Sequence, residues 1–177
     1  IISTQCIFIS SMIPLYISIP SNGNPFTVVD LPVNWQIPII LILTMIFSDE
    51  ILIKSHTIYL TLGLFFLPIF KDGGSLGYLL TPNFGFLLGI YPMIIYISKL
   101  KSEGTITIFK FILCGIKSLL ILHLIGIIYL SIQLLFFSKI ELILYSVGKY
   151  SFANLPFQFL MLFPCSLLLI CFKKVKI

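Results

Sequence analysis

Apolar residues run along this chain in long blocks, and short polar segments separate them. A helix needs about 20 consecutive apolar residues to cross a hydrocarbon core ~30 Å thick. Six blocks reach or approach that length: residues 1–19, 31–47, 51–70, 79–97, 106–137 and 152–172. Each predicts a helix covered on most sides by lipid or by other helices. Pro32 and Pro38 break the second block early, and Ser48-Asp49-Glu50 closes it. The fifth block is too long for one simple span. Lys110 and Lys117 lie seven residues apart in it, on one helix face. Residues 105–117 are therefore expected to lie partly in the membrane interface, with the span itself starting near Ser118. Between the blocks stand SNGNPFTVVD at 21–30, KDGGSLGY at 71–78 and a mixed segment from Lys139 to Tyr150, which reads as a short surface helix.

Composition strengthens this picture. The chain has 177 residues, 59% hydrophobic and 10% charged, against about 25% charged in soluble domains. A soluble fold of this size has too much surface for so few polar groups to cover. Lipid as the solvent removes the conflict. The expected fold is an all-α membrane protein, a bundle of six transmembrane helices forming one integral membrane domain over residues 1–177. The four cysteines lie in apolar stretches without a CxxC, and read as small buried apolar residues rather than metal ligands or disulfides. The first block has no small-residue cleavage site and reads as a helix that is retained. Because residue 1 is Ile rather than Met, a short N-terminal piece is expected to precede it.

Charge adds topology. The net charge is +5, and all eleven basic residues are lysines. They sit between apolar blocks, where they anchor helix ends at the headgroups; this argues against a nucleic-acid partner. With six spans and both termini on one side, that side holds Lys54, Lys99, Lys101, Lys110, Lys173, Lys174 and Lys176. The other holds Lys71, Lys139 and Lys149. Seven against three, with Lys117 left uncounted, favours both termini in the cytoplasm. The segments around 21–36, 71–78 and 139–150 then face outward.

Catalytic motifs are missing. The sequence has no GxSxG, HExxH or Walker A pattern, so the chain is not expected to be an enzyme, and an ATP-driven system containing it must borrow its ATPase. None of its six carboxylates pairs with another inside a predicted span, and Asp49 and Glu50 read as a solvated helix end. No span carries the chain of acidic residues that proton or sodium coupling usually needs.

Polar side chains gather instead in the outward segments. Asn34 and Gln36 flank Trp35 at the mouth of the second block, as a helix cap and interfacial belt or as ligand contacts. Gly73-Gly74 lets the backbone turn and expose N–H groups. Gly85 and Gly89 form GxxxG, a pattern for close helix packing. Gln158 is a lone amide in the sixth block and needs a hydrogen-bond partner from a helix or a ligand. His123, in LILHLIGIIYL, is ionisable at membrane depth, which marks a functional candidate; a neutral His bonded to a neighbouring helix is the alternative.

Several of these segments resemble a known family. LPVNWQIPIILILTMIF at 31–47, GLFFLPIF at 63–70, DGGSLGY at 72–78 and TPNFGFLLGI at 81–90 look like the BioY family of biotin transporters. That family has a PVxxQ segment, a GLxxLPVF segment, a Gly-rich turn and a G-P-x-G-G-Y-L-x-G-F motif. HLIGIIYL and NLPFQFLMLF are similar to forms associated with cyanobacteria. The resemblance implies a six-helix S component of an energy-coupling factor (ECF) importer in the bacterial cytoplasmic membrane. Such a subunit binds biotin near the outer face and works with a transmembrane coupling subunit and two cytoplasmic ATPases. It implies no cofactor; biotin is the transported ligand.

The chain also departs from the family. Many members carry an Asp and a Lys in the sixth helix that contact biotin, and residues 152–172 contain neither. Thr81, Phe84 and Phe86 stand where the motif has Gly, Gly and Tyr. Gln158 is the candidate for part of the missing role. A biotin pocket needs amides for the ureido ring, aromatic walls for the bicycle and a cation or N–H groups for the carboxylate. Asn34, Gln36, Asn83 and Gln158 are the candidates for the first. Trp35, Tyr78, Phe84 and Phe86 are candidates for the second, and Lys71 with the Gly73 and Gly74 N–H groups for the third. Gly85 and His123 complete the candidate set. Two other readings stay open: an S component for another vitamin, and a membrane enzyme or structural membrane subunit.

Overall fold

The first apolar block does not continue as a helix. The computed structural model describes residues 1–21, 24–70, 73–103 and 107–174. Helix α1 covers only Ile2–Met12. Pro14 disfavours helical backbone at the residue before it, and Ile13 is extended, with φ −91° and ψ 111°. Strands β1 (Pro14–Ser21) and β2 (Asn24–Asn34) then form an antiparallel hairpin, with Ile17 opposite Val29 and Ser18 opposite Val28. The β-branched residues of IxI and TVVDLPV suit a pleated surface better than a helix. The helix expected over 1–19 is thus cut short, and the second begins at Gln36 rather than near 31. The Trp35 N–H donates to the Ile13 carbonyl at 3.1 Å and ties the base of the hairpin to the end of α1.

The remaining blocks become helices with shifted ends. α2 is Gln36–Ile46 and α3 is Asp49–Phe65. Ser48 caps α3 by accepting from the Ile51 N–H, and Asp49 and Glu50 complement the positive end of its dipole. α3 stops five residues short of the expected Phe70. The chain then runs to Phe70, which exchanges two 3.0 Å backbone hydrogen bonds with Gly73; Gly73 sits at φ +106°, a conformation other residues rarely adopt. A 3₁₀ turn at Leu76–Leu80 leads into α4, Pro82–Ser98, and a second at Lys99–Glu103 follows it. α5 spans Ile108–Phe136, 29 residues without a break, so the fifth block is one continuous helix. A 3₁₀ turn (Ile140–Leu142), a short α6 (Ile143–Val147) and a π turn (Gly148–Phe152) then lead to α7, Leu155–Lys174.

Three stretches are long and apolar enough to cross a membrane among the described residues: Pro82–Lys101, Ile108–Phe136 and Ile140–Leu168. Leu120, Leu124, Ile128 and Ile132 form an exposed stripe on α5, spaced at one helical turn, as a lipid-facing surface requires. The chain is an integral membrane protein.

α4 and α5 share the most extensive helix contact. A Cβ on Gly85 would lie 2.4 Å from the Tyr129 Cβ, and one on Gly89 would lie 2.6 Å from the Leu122 carbonyl oxygen. The GxxxG pattern therefore serves close packing.

Hydrogen bonds sort the helix ends into two groups. Ser3 meets Ser55 at 2.6 Å, and the Lys101 ammonium donates to the Phe47 carbonyl. These bring together the start of α1, the end of α2, the start of α3 and the end of α4. At the opposite end, Asn34 donates to the Ser11 carbonyl at 3.0 Å, Tyr129 to the Leu79 carbonyl and Gln133 to the Leu80 carbonyl. That end holds the hairpin and the turn before α4, and α5 leads there into the π turn. Among the described residues, most of the irregular backbone is on this side of the bundle.

Candidate ligand-binding site

A cavity of about 290 Å³ opens among the end of β2, the start of α2, α3, α4, α5 and the π turn with α7. Helical spacing explains who faces it. Asn83, Phe86, Leu87 and Ile90 line it from α4 at i, i+3, i+4 and i+7, one face of the helix. Asn154 and Gln158 line it from either side of the start of α7, one turn apart. The π turn takes an extra residue into its ring, with the Ala153 N–H reaching the Gly148 carbonyl at 2.9 Å, and Lys149 and Tyr150 from this turn join the wall. Tyr59 of α3 and Tyr78 complete the aromatic surface. Among the described lining residues, Lys149 is the only Lys, Asp or Glu, and its ammonium stands 5.3 Å from the centre of the Tyr150 ring.

Two amides in this wall, Asn154 and Gln158, have their polarity fixed from behind. Asn154 donates its nitrogen to the Tyr150 carbonyl at 2.8 Å, which leaves its buried oxygen without a partner. Gln36 is 5% exposed, and its amide nitrogen has no partner at hydrogen-bonding geometry, although the Tyr59 hydroxyl stands beside it. His123, 2% exposed, lies between the Ser151 hydroxyl and the Gln158 oxygen, 2.9 Å from each. An amide oxygen only accepts, so His123 Nε2 carries the hydrogen and Nδ1 accepts from Ser151. The Gln158 nitrogen is then left for the cavity. The wall offers donors at Gln36 and Gln158 and an acceptor at Asn154. A buried polar group without a partner costs about 1–3 kcal/mol, so this pattern calls for a ligand or ordered water to meet it.

Residues 3–176 match the BioY family. The chain belongs to the BioY family. It is 28% identical over 120 residues to the probable biotin transporter BioY of Lysinibacillus sphaericus, an alignment covering 67% of this chain and 58% of that relative. This BioY chain thus spans less than two thirds of the length of that curated relative. Its fold is that of a crystal structure at 2.1 Å described as the S-component for biotin from an ECF-type ABC transporter. The TM-score is 0.72 with 20% identity, covering 98% of this chain and 87% of the other.

Within this BioY chain the residues singled out from the sequence divide into two groups. Asn34, Gln36, Tyr78, Asn83, Phe86, His123 and Gln158 line the cavity together. Asn34 is a brace as well as a lining residue: its nitrogen donates to the Ser11 carbonyl and its oxygen accepts from the Gln36 N–H at 3.3 Å. Trp35, Gly73, Gly74, Phe84 and Gly85 are not in the cavity wall. Phe84 packs against Tyr129 with ring centres 5.7 Å apart, and Gly85 is covered by the same tyrosine. The Gly73 N–H is already given to the Phe70 carbonyl, so it is not free to hold a carboxylate. Gly74 presses against the Leu67 and Gly63 carbonyls. Lys71 lies outside the described residues.

The sequence reading missed Tyr59, Lys149, Tyr150 and Asn154. Asn154 had a usable signal, standing one helical turn before Gln158. Lys149 and Tyr150 were assigned to a surface helix because nothing in the sequence announces a π turn. Tyr59 sits inside an apolar block with no feature to set it apart.

Proposed function

We propose that this chain binds biotin in the cavity and is the substrate-capturing S component of an ECF-type importer in a bacterial cytoplasmic membrane. The observation that carries this reading is the pattern of amide donors and acceptors beside the Lys149 ammonium. The ureido carbonyl accepts from Gln36 and Gln158, and a ureido N–H donates to Asn154. Tyr59, Tyr78, Phe86 and Tyr150 enclose the fused rings, while Leu87, Ile90 and Leu122 cover apolar surface. Lys149 pairs with the valerate carboxylate, a charge-assisted contact. The cavity volume lies near the lower end of the range of about 300–1,000 Å³ for ligand pockets, which suits a small vitamin.

The bundle then has six membrane spans, with the short α1 and α2 packed against the long helices. Lys54, Lys99, Lys101 and Lys110 stand at or near the end opposite the cavity. The positive-inside rule makes that end cytoplasmic and the cavity outward. The sequence holds no ATPase motif, so energy comes from a coupling subunit and ATPase partners rather than from chemistry by this chain.

Isothermal titration of the purified protein in detergent tests the ligand; saturable biotin binding is expected. A folded, monodisperse sample that gives no biotin heat overturns the reading. Co-purification with ATPase subunits from a native membrane tests the partners.

A further inference from the structure

Gln158 faces a choice that its own chemistry leaves open. An amide side chain can turn over and present either oxygen or nitrogen to a ligand. Behind it, His123 is almost fully buried and its Nε2 lies 2.9 Å from the Gln158 oxygen. The other ring nitrogen lies 2.9 Å from Ser151 Oγ, and Ser151 is fully buried. Phe86 meets the imidazole edge-on, with ring centres 5.4 Å apart and planes at 68°, which holds the ring plane. Three elements thus converge on one imidazole: α4 through Phe86, the π turn through Ser151, and α7 through Gln158.

We propose that His123 is a positioning residue that, set by Ser151, locks Gln158 with its NH₂ toward the cavity and makes this position select a ligand acceptor atom. The Ser151 hydroxyl donates to Nδ1, the hydrogen stays on Nε2, and Nε2–H donates to the Gln158 oxygen. Turning the amide over with the hydrogen on Nε2 sets N–H against N–H and loses that bond; moving the hydrogen to Nδ1 instead leaves the buried Ser151 hydroxyl with no acceptor among the described residues, so both changes are opposed. His123 lines the cavity, but both of its ring nitrogens are taken by Ser151 and Gln158, so it acts on the selected ligand group through Gln158. This inference rests on the biotin reading above, because the acceptor it assigns is the ureido carbonyl.

The test is a ratio of affinities. The probes are biotin and 2-iminobiotin, in which a cationic cyclic guanidine replaces the ureido group and the carbonyl acceptor becomes a donor. Binding of both is measured on the full chain in detergent. Wild type is expected to prefer biotin by about tenfold or more, the scale of one lost hydrogen bond with an unpaired donor left behind. His123→Ala frees Gln158 to turn and brings the ratio toward unity while saturable biotin binding persists. Ser151→Ala shifts the ratio the same way by a smaller factor. His123→Gln, which can again offer an N–H to the Gln158 oxygen, recovers part of the preference. An unchanged ratio in both alanine variants overturns the proposal, and so does an equal loss of both ligands, which marks a merely structural histidine. If His123→Ala does not fold, Ser151→Ala decides alone, since it removes a single hydroxyl. Wild type that binds neither probe overturns the biotin reading itself, and this inference with it.

Discussion

The α4–α5 pair and the wall opposite it are built on different terms. Where α4 meets α5, glycines let backbone approach backbone, and a Cβ on Gly89 would strike the Leu122 carbonyl at 2.6 Å. At these glycines the packing leaves no room to adjust. The wall made by β2, α2, the π turn and α7 has buried amide atoms without partners and a lysine beside a ring. It gives up local hydrogen-bond satisfaction to present groups to the cavity. The contrast teaches that one bundle uses its helices in two ways: the glycine faces of α4 and α5 set the frame, while the unpartnered amide atoms of the cavity wall come from α2 and the junction of the π turn with α7.

The largest expected effect breaks the frame. In Gly89→Val the new side chain meets backbone that cannot swing aside. The cost is about 1–3 kcal/mol or more, read as a large drop in melting temperature in detergent, with biotin binding lost as the fold loosens. Next comes Lys149→Gln, which should leave the melting temperature nearly unchanged and weaken biotin by about tenfold to a hundredfold. Titration with biotin methyl ester should show no such loss, because the ester has no charge to pair. A fall in stability comparable to that of Gly89→Val would erase the contrast.

Gln36→Met sharpens the contrast further. It replaces a buried amide, whose nitrogen has no partner at hydrogen-bonding geometry, with an apolar chain of similar length. The ligand-free melting point should rise, by about 1 kcal/mol of stability, while biotin affinity falls by about fivefold to tenfold. A variant that loses stability without ligand would mean that Gln36 is structural. The smallest effect belongs to Lys54→Gln, which removes an exposed ion pair with Glu50 one turn away. It should change stability by less than about 0.5 kcal/mol and leave binding untouched.

Much of this architecture is visible in the apolar blocks. The blocks at 79–97, 106–137 and 152–172 became α4, α5 and α7 with ends moved by a few residues, because lipid-covered helices leave long unbroken signatures. The hairpin was not anticipated, although its signals are present: Pro14, the alternation in PLYISIPS, and Asn22-Gly23 between the strands in sequence. Apolar β-branched strands and apolar helices look alike when only hydropathy is read. In the cavity wall, Asn34, Gln36 and Gln158 stood out because amides are rare in such blocks. Lys149 and Asn154 did not, since their placement depends on a π turn, a backbone event that no residue type specifies. The GxxxG glycines were legible as packing, and Gly85 is used that way rather than for a ligand.

The unequal helix lengths have a consequence for the surrounding lipid. At 1.5 Å per residue, the 29 residues of α5 reach about 44 Å, whereas the 11 of α1 or of α2 reach only about 16 Å. A hydrocarbon layer ~30 Å thick fits neither. Along α5 the mismatch is relieved by tilt or by protrusion beyond the hydrocarbon; under the six-span arrangement proposed above, the acyl chains beside α1, whose Ile2, Ile9 and Met12 are exposed, shorten to follow the protein. Each ångström of such mismatch costs a fraction of a kcal/mol. The bundle is therefore an uneven inclusion in an elastic sheet, and bilayer thickness is itself a force on it.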